Sequence, residues 1–494
     1  KKEKICILGD YDVDGSAAAS LFVNFFQNLK HPFFYYIPDR VKDGYGPSVK
    51  LFKKLILKKP KLVIMVDCGS SSNDAIDFLD KHNIKSLVID HHEIYKPYPK
   101  ANVIINPKKN NGYSKYDYLC ATSLTYFFLE ILKIKTNCKI RLRKLLIYVL
   151  LATICDVMPL RKLNKLISII ALKEFRFEDN QTLRQLFDLS NKKNKINISD
   201  LGFLIGPILN SGGRLGKSNY ATELLSSNNL QIIKQRSEQL ISLNIKRRTI
   251  ENIILDNLDF KKIRSENENA IIHYDTNISE GLLGIIAARL KEYFNKPAIV
   301  VTKSNNLLKG SARSVYGYNI GKTIKNLLDK DIILNGGGHN MAAGFTLKEK
   351  NLNSLKNFIN NDLKKNKIYN NNFLRYDSEL SVKALNKDFV NDINKIGPFG
   401  NGNFAPIFLF KDLKVIKYKI LNKKYISCIL KSKIGSTINS ILFDTINNKI
   451  GYYLTNYKKY FNVVGQIDEN FYNNKKNVQL IIKDLILWFI RLDK

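Results

Sequence analysis

Ile5-Cys6-Ile7-Leu8-Gly9-Asp10-Tyr11-Asp12-Val13-Asp14-Gly15 is the stretch that decides the fold. Ile5 to Leu8 is a short continuous apolar run, the pattern of a strand buried on both faces. Beyond it, aspartates stand at 10, 12 and 14, and alternate residues of an extended segment share one face. Gly15 permits a turn, and apolar residues then recur at helical spacing from Ser16 to Leu29. Strand, turn and helix follow one another again: Leu62 to Val66 and Asn73 to Lys81, then the strands Leu87 to Ile89 and Val103 to Ile105. This βαβ order predicts a mainly parallel sheet with helices on both faces.

The first three of these strands end in chemistry. Asp67 follows the second apolar run, and Asp90-His91-His92-Glu93 follows the third. Asp156 comes later, after an apolar helix ending at Ile154 and before Pro159. In open parallel sheets the C-terminal strand ends line one crevice, where ligands bind. Taken singly, the residues have plain explanations: a solvated acidic turn with a helix cap, a capping Asp, a satisfied core His. Delivered together to one sheet edge, carboxylates this close would raise one another's pKa values unless a cation neutralised them. Carboxylate oxygens with one or two imidazoles suit Mn²⁺ or Mg²⁺ better than a soft metal. A two-metal pair of this kind is the standard device for hydrolysing phosphate esters.

The remaining 380 or so residues add further domains, at roughly one per ~150 residues of chain. Leu119 to Leu132 and Leu142 to Ile154 read as apolar helices. Apolar residues from Leu230 to Leu258 keep helical spacing without Gly or Pro, predicting a helix of ~28 residues, ~42 Å long, suited to joining two lobes. A second α/β pattern runs from Ala270 to Leu363, and the Asn/Lys-rich Lys364 to Asn372 reads as a linker. Short β-rich runs follow at Ile407 to Phe410, Ile426 to Leu430, Ser440 to Phe443, Tyr460 to Val464 and Val478 to Ile482, predicting a small barrel or sandwich.

Lys and Arg number 79 against 44 Asp and Glu, a formal charge of +35 in 494 residues. The excess is +4 in the first hundred residues, where the Asp cluster sits, and +10 in the last 94. Such a balance suits a polyanionic partner. No run approaches the ~20 apolar residues of a membrane helix, which argues against a membrane protein. No signal-peptide pattern follows Lys1, and the six cysteines form no C-x-x-C pair. A cytoplasmic, reducing location fits.

The ordered segments Asp10-Tyr11-Asp12-Val13-Asp14-Gly15, Asp67, Asp90-His91-His92 and Asp156 resemble the motifs of the DHH phosphoesterase family. The resemblance covers essentially the whole chain and is strongest to the family's single-strand-specific 5′→3′ DNA exonucleases. Pro38-Asp39-Arg40, Gly44-Tyr45-Gly46, Asn106-Pro107-Lys108 and Asn210-Ser211-Gly212-Gly213-Arg214 are similar to further segments of that family. Lys309-Gly310-Ser311-Ala312-Arg313-Ser314 and Gly336-Gly337-Gly338-His339 resemble its DHH-associated domain. Pro398-Phe399-Gly400-Asn401-Gly402-Asn403 resembles the entry to its OB-fold. The chain departs from the family at Ile278-Ser279-Glu280-Gly281-Leu282-Leu283-Gly284, where a Trp-His pair is common.

The resemblance implies an α/β chain of four parts: a parallel-sheet DHH domain at 1–225, a connecting long helix at 226–265, a second α/β, DHH-associated domain at 266–370 and a C-terminal β-barrel, an OB-fold, at 371–494. It implies metal ligands at Asp12, Asp14, Asp67, His91 and Asp156, with Asp67 bridging and Asp10 a further candidate. His92 falls to a phosphate or leaving-group role, and Asp90 to orienting a ring. Arg40, Ser311, Arg313 and Arg214 are the candidates for a terminal 5′-phosphate, because Arg offers bidentate, phosphate-shaped donors. Tyr45 and His339 are candidate substrate contacts. The implied function is release of 5′-mononucleotides from single-stranded DNA in repair and recombination, by a monomer working with a helicase and a single-strand-binding protein. The alternatives are a phosphodiesterase for short oligonucleotides or cyclic dinucleotides, and a non-catalytic single-strand-binding replication scaffold.

Overall fold

The computed structural model describes residues 2–487 except 40–41, 45, 110–113, 193–194, 305, 367–373, 423–424, 444–448 and 473–474. The chain divides into two compact units, Lys1–Tyr369 and Asn370–Lys494.

The first unit opens with a five-stranded parallel sheet. Its strands are β1 (Ile5–Gly9), β2 (Phe33–Tyr36), β3 (Leu62–Val66), β4 (Lys85–Ile89) and β5 (Val103–Ile105), in the order β2-β1-β3-β4-β5. Strand alternation divides two cores: Ile5, Ile7, Ile64 and Val66 face one side, and Cys6, Leu8, Val63 and Met65 the other. β2 was not foreseen. Its four residues, Phe33-Phe34-Tyr35-Tyr36, are all half-buried at the sheet edge, so they show neither alternation nor a fully buried run. The strand matters because it defines the switch point. The chain leaves β1 for β2 on one side and returns to β3 on the other, opening a crevice at the C-terminal ends of β1 and β3.

The helix after β1 spans Val13–Leu29, longer at its start than the spacing predicts, because Asp12 caps it by accepting from the Gly15 amide at 3.0 Å. The predicted long helix spans Leu230–Asp256. Its N-terminal half buries Ile233 and Leu240 in the first core, and its C-terminal half packs Ile250, Ile254 and Leu255 on the second lobe. It therefore ties the lobes together. The second lobe has strands β6 (Ile271–Tyr274), β7 (Ala298–Ser304), β8 (Leu307–Arg313), β9 (Asn335–His339) and β10 (Ala342–Leu347), ordered β6-β7-β8-β10-β9. Its last helix, Leu352–Asn366, runs three residues into the stretch predicted as linker. The rest of that stretch, 367–372, lies outside the described residues.

The second unit comprises β11 (Ser378–Glu379), β12 (Ile407–Leu421), β13 (Tyr425–Ser432), β14 (Thr437–Leu442), β15 (Phe461–Tyr472) and β16 (Lys475–Leu487). Pairing of β12 with β15 closes the five long strands into a barrel around Phe408, Phe410, Leu413, Phe461 and Val463. β12 is far longer than its apolar start suggested: beyond Leu413, the last of its core residues, it is held by pairing to β13. The architecture is thus the predicted one, a parallel-sheet α/β domain, a second α/β lobe and a C-terminal barrel. No helix among the described residues is long and apolar enough to cross a membrane.

Candidate metal centre

Six of the predicted residues converge at the switch point. Gly15 is required there, because a Cβ at that position would sit 2.5 Å from the Asp10 amide nitrogen. The turn therefore folds back on β1 and presents Asp10, Asp12 and Asp14 beside Asp67. Asp14 is fixed hardest. Its carboxylate accepts from the amides of Ala121 and Thr122, both at 2.8 Å, at the start of the helix Ala121–Thr136. Asp67 sits in left-handed backbone (φ 59°) at the end of β3, a strained placement of the kind that clusters at functional sites. Asp156 arrives from the far side, at the C-terminal cap of the helix Leu146–Cys155.

His91 lies at the centre. Its Nε2 is 3.3 Å from Asp67 Oδ1, 3.3 Å from Asp156 Oδ2 and 3.6 Å from Asp14 Oδ2. These would be ion pairs only for a charged ring. Burial and the neighbouring His92 charge instead push the His91 pKa down to about 4, despite the nearby carboxylates, so the ring is neutral. Burial, then the charges of Asp14, Asp12, Asp10 and Asp156, raise the Asp67 carboxyl well above its ordinary value. Burial and the same Asp14 and Asp12 charges raise Asp156. Burial and Asp14 raise Asp12.

His92 is the opposite case. Burial lowers its pKa, but the Asp90 carboxylate, 2.7 Å from Nδ1, outweighs burial and lifts it to about 10. Burial raises Asp90 in turn, but the His92 charge, its hydrogen bond and the Ser70 amide at 3.1 Å hold that carboxyl below its ordinary value. The two adjacent histidines are therefore shifted in opposite directions, His91 down and His92 up. The His339 ring from the second lobe lies over His92, centroids 5.4 Å apart and planes 22° apart. Burial, Lys108 and His92 push the His339 pKa down to about 3.

A second cluster forms where the lobes meet. Arg214 Nη1 donates to the Gly281 carbonyl at 3.1 Å, and Arg313 Nη1 donates to Ser311 Oγ at 3.3 Å and to the Ala312 carbonyl at 2.9 Å. A Cβ on Gly284 would stand 2.7 Å from Arg313 Nη2, so glycine there lets the guanidinium lie on the start of the helix Leu283–Phe294. Arg214, Ser311 and Arg313 are thus gathered around one helix start, a place suited to an anion.

Three family models match in order: the DHH family N-terminal domain over residues 4–154, the DHHA1 domain over 267–365 and the RecJ OB domain over 376–484. The single-stranded-DNA-specific exonuclease RecJ of Bacillus subtilis is 27% identical over 493 residues, covering 98% of this chain. The chain belongs to the RecJ branch of the DHH family. The RecJ of Haemophilus influenzae is likewise 27% identical over 504 residues, covering 97% of this chain. The chain spans 61% of the length of the B. subtilis protein and 87% of the H. influenzae one. The fold is that of RecJ from Thermus thermophilus solved in complex with Mn²⁺, with a TM-score of 0.82 at 21% identity, over 99% of this chain and 69% of that one.

In this RecJ-branch chain the residues at the switch point fit divalent metal. Asp67 Oδ1 and both ring nitrogens of His91 are buried without a hydrogen-bond partner. Carboxylates crowded round one buried ring repel one another in the absence of a cation. Three groups have ligand atoms close enough to share an ion: Asp10, Asp12 and Asp67; Asp14, His91 and Asp156; Asp67, His91 and His92. Asp67 and His91 each belong to two of them. Arg40 and Tyr45, also predicted as site residues, lie outside the described residues.

Asn106 was assigned no role from sequence, yet it organises the strand ends. Its Nδ2 donates to Ser70 Oγ at 2.8 Å and to the His92 carbonyl at 3.0 Å, and its Oδ1 accepts from the Lys108 amide at 2.8 Å. Its only sequence signal was its position, immediately after β5, in Asn106-Pro107-Lys108.

Proposed function

We propose that the chain is a metal-dependent exonuclease that degrades single-stranded DNA 5′→3′ to 5′-mononucleotides, in repair and recombination. One observation carries the reading: an anionic cluster that calls for cations and a cationic cluster that suits a terminal phosphate belong to the same cleft-forming unit.

Asp10, Asp12, Asp14, Asp67, His91 and Asp156 would hold Mn²⁺ or Mg²⁺, Asp67 being the ligand they would share, and the ions would supply neutralisation of phosphoryl oxygens and a lowered pKa for an attacking water. Arg214, Ser311 and Arg313, with Arg40, bind the terminal 5′-phosphate, and Tyr45 contacts the strand. The bond broken joins the second nucleotide's phosphorus to O3′ of the first. His92, kept protonated by Asp90, faces that leaving oxygen and supplies its proton, while His339 lies against His92 on the cleft side. The C-terminal barrel grips the incoming strand through basic and aromatic side chains. The four-part division at residues 225, 265 and 370 belongs to this proposal. So does a cytoplasmic monomer working with a helicase and a single-strand-binding protein, for which likeness to the RecJ branch is the support.

The test compares long 5′-phosphorylated single strands, duplexes, and di- and trinucleotides, each with Mn²⁺. Fast turnover of long single strands supports the reading. Turnover confined to the short substrates overturns it.

A further inference from the structure

The buried face of the Leu230–Asp256 helix changes character along its length. It begins with Ile233, Ser237 and Leu240, and the same stripe continues as Asn244, Arg247 and Glu251. Packing alone does not call for this polar end, since apolar side chains of similar volume serve a buried helix face as well as a buried ion pair does, or better. Its contacts point to another use.

Glu251 holds one guanidinium with each oxygen. Arg247 Nη1, on the same helix, donates to Oε2 at 2.7 Å. Arg289 Nε, on the second-lobe helix Leu283–Phe294, donates to Oε1 at 2.8 Å. Asn244 steers Arg247, its Oδ1 accepting from Nε at 3.2 Å and from Nη2 at 3.0 Å. The helix that Arg289 belongs to is the one on whose start the Arg313 guanidinium lies. It is therefore tied across the lobe junction at two places. Arg214 holds the Gly281 carbonyl just before its start. About 9 Å farther along the axis, Arg289 meets Glu251. Two such anchors fix the direction of a helix, where one would leave a hinge. Arg247 is also within electrostatic reach of the cationic cluster: burial lowers its pKa, the Glu251 charge opposes this, and the Arg214 charge lowers it further.

We propose that Glu251 is a positioning residue for the terminal phosphate: it bridges Arg247 and Arg289 so that Arg214 from one lobe and Ser311 and Arg313 from the other face the same anion. This rests on the function proposed above. Glu251 acts through its partners. Its hydrogen bond to Arg289 sets where the helix start lies, and its charge offsets the repulsion between Arg247 and Arg214.

The experiment uses the full chain with Mn²⁺ and two single strands that differ only at the 5′ end, phosphate or hydroxyl. The wild type is expected to prefer the phosphorylated strand in kcat/KM. Arg289→Gln breaks the link between the two helices while Glu251 keeps Arg247, and the Arg289 side chain is 53% exposed, so Tm should stay close to that of the wild type. This variant is expected to lower the preference about fivefold or more, through KM on the phosphorylated strand, because the phosphate-binding groups are misplaced rather than removed. Arg289→Lys, which keeps the charge and a donor, should restore most of the preference. Glu251→Gln, which takes the carboxylate from both guanidiniums, should lower it further than Arg289→Gln does. An unchanged preference in Arg289→Gln overturns the proposal, as do equal losses on both strands. A wild type with no preference overturns instead the terminal-phosphate reading on which the proposal rests.

Discussion

The two charged clusters of the first unit are built in opposite ways. At the switch point, strand ends and one helix end deliver Asp10 to Asp14, Asp67 and Asp156 into a buried space, and Asp67, Asp156 and Asp12 all have raised pKa values, from burial and because their neighbours are anions too. At the lobe junction, Arg214 and Arg313 are steered by neutral oxygens of Gly281, Ser311 and Ala312 around a helix start. The first cluster suits cations and the second suits an anion. The contrast teaches that a site for a phosphate group can be read from two clusters of opposite sign in one unit.

The largest expected effect is on the anionic side. Asp67→Ala and Asp156→Ala should each abolish nuclease activity, beyond the roughly 10–100-fold loss typical of a residue that only orients a ligand. Asp90→Asn should fall inside that range, measured as kcat/KM on 5′-phosphorylated single strands. On the cationic side, Arg313→Ala should lower kcat/KM on 5′-phosphorylated strands roughly 10–100-fold, the worth of hydrogen bonds to a charged group, and leave 5′-hydroxyl strands nearly unaffected. Equal losses on both substrates would break the assignment of that cluster to the terminal phosphate.

Stability sharpens the same contrast. Mn²⁺ at 100 times its Kd should stabilise the fold by about 2.7 kcal/mol, read as a rise in Tm. Asp67→Asn should blunt that rise, and in chelator it should be at least as stable as the wild type, because it removes a repelled carboxylate. The smallest effect concerns the support. Asn106→Ala leaves Ser70 Oγ, the His92 carbonyl and the Lys108 amide without their partner, costing about 1–3 kcal/mol by thermal melting, with only a few-fold loss of rate.

The anionic cluster was legible in the sequence because its residues follow strand ends directly, and a parallel sheet brings strand ends together whatever else the chain does. Asp10 to Asp14, Asp67 and Asp90 to His92 needed only the strand pattern. The cationic cluster was not legible that way. Arg214 and Arg313 are about a hundred residues apart and meet through packing of the Leu230–Asp256 helix across both lobes, so only likeness to a family pointed to them. The opposite pKa shifts of His91 and His92 were equally hidden, since these adjacent residues of one type differ in exposure and in the Asp90 carboxylate that lies 2.7 Å from His92. β2 escaped because edge residues half-buried on both faces carry no period.

The most direct test of the central claim is the order of label release from one 5′-phosphorylated single strand labelled at both ends, digested with Mn²⁺. The 5′ label is expected to leave first, as a mononucleotide, while the 3′ label stays on fragments that shorten progressively. Early release of the 3′ label, or internal cleavage into labelled fragments at both ends, would contradict the assignment of a 5′→3′ exonuclease.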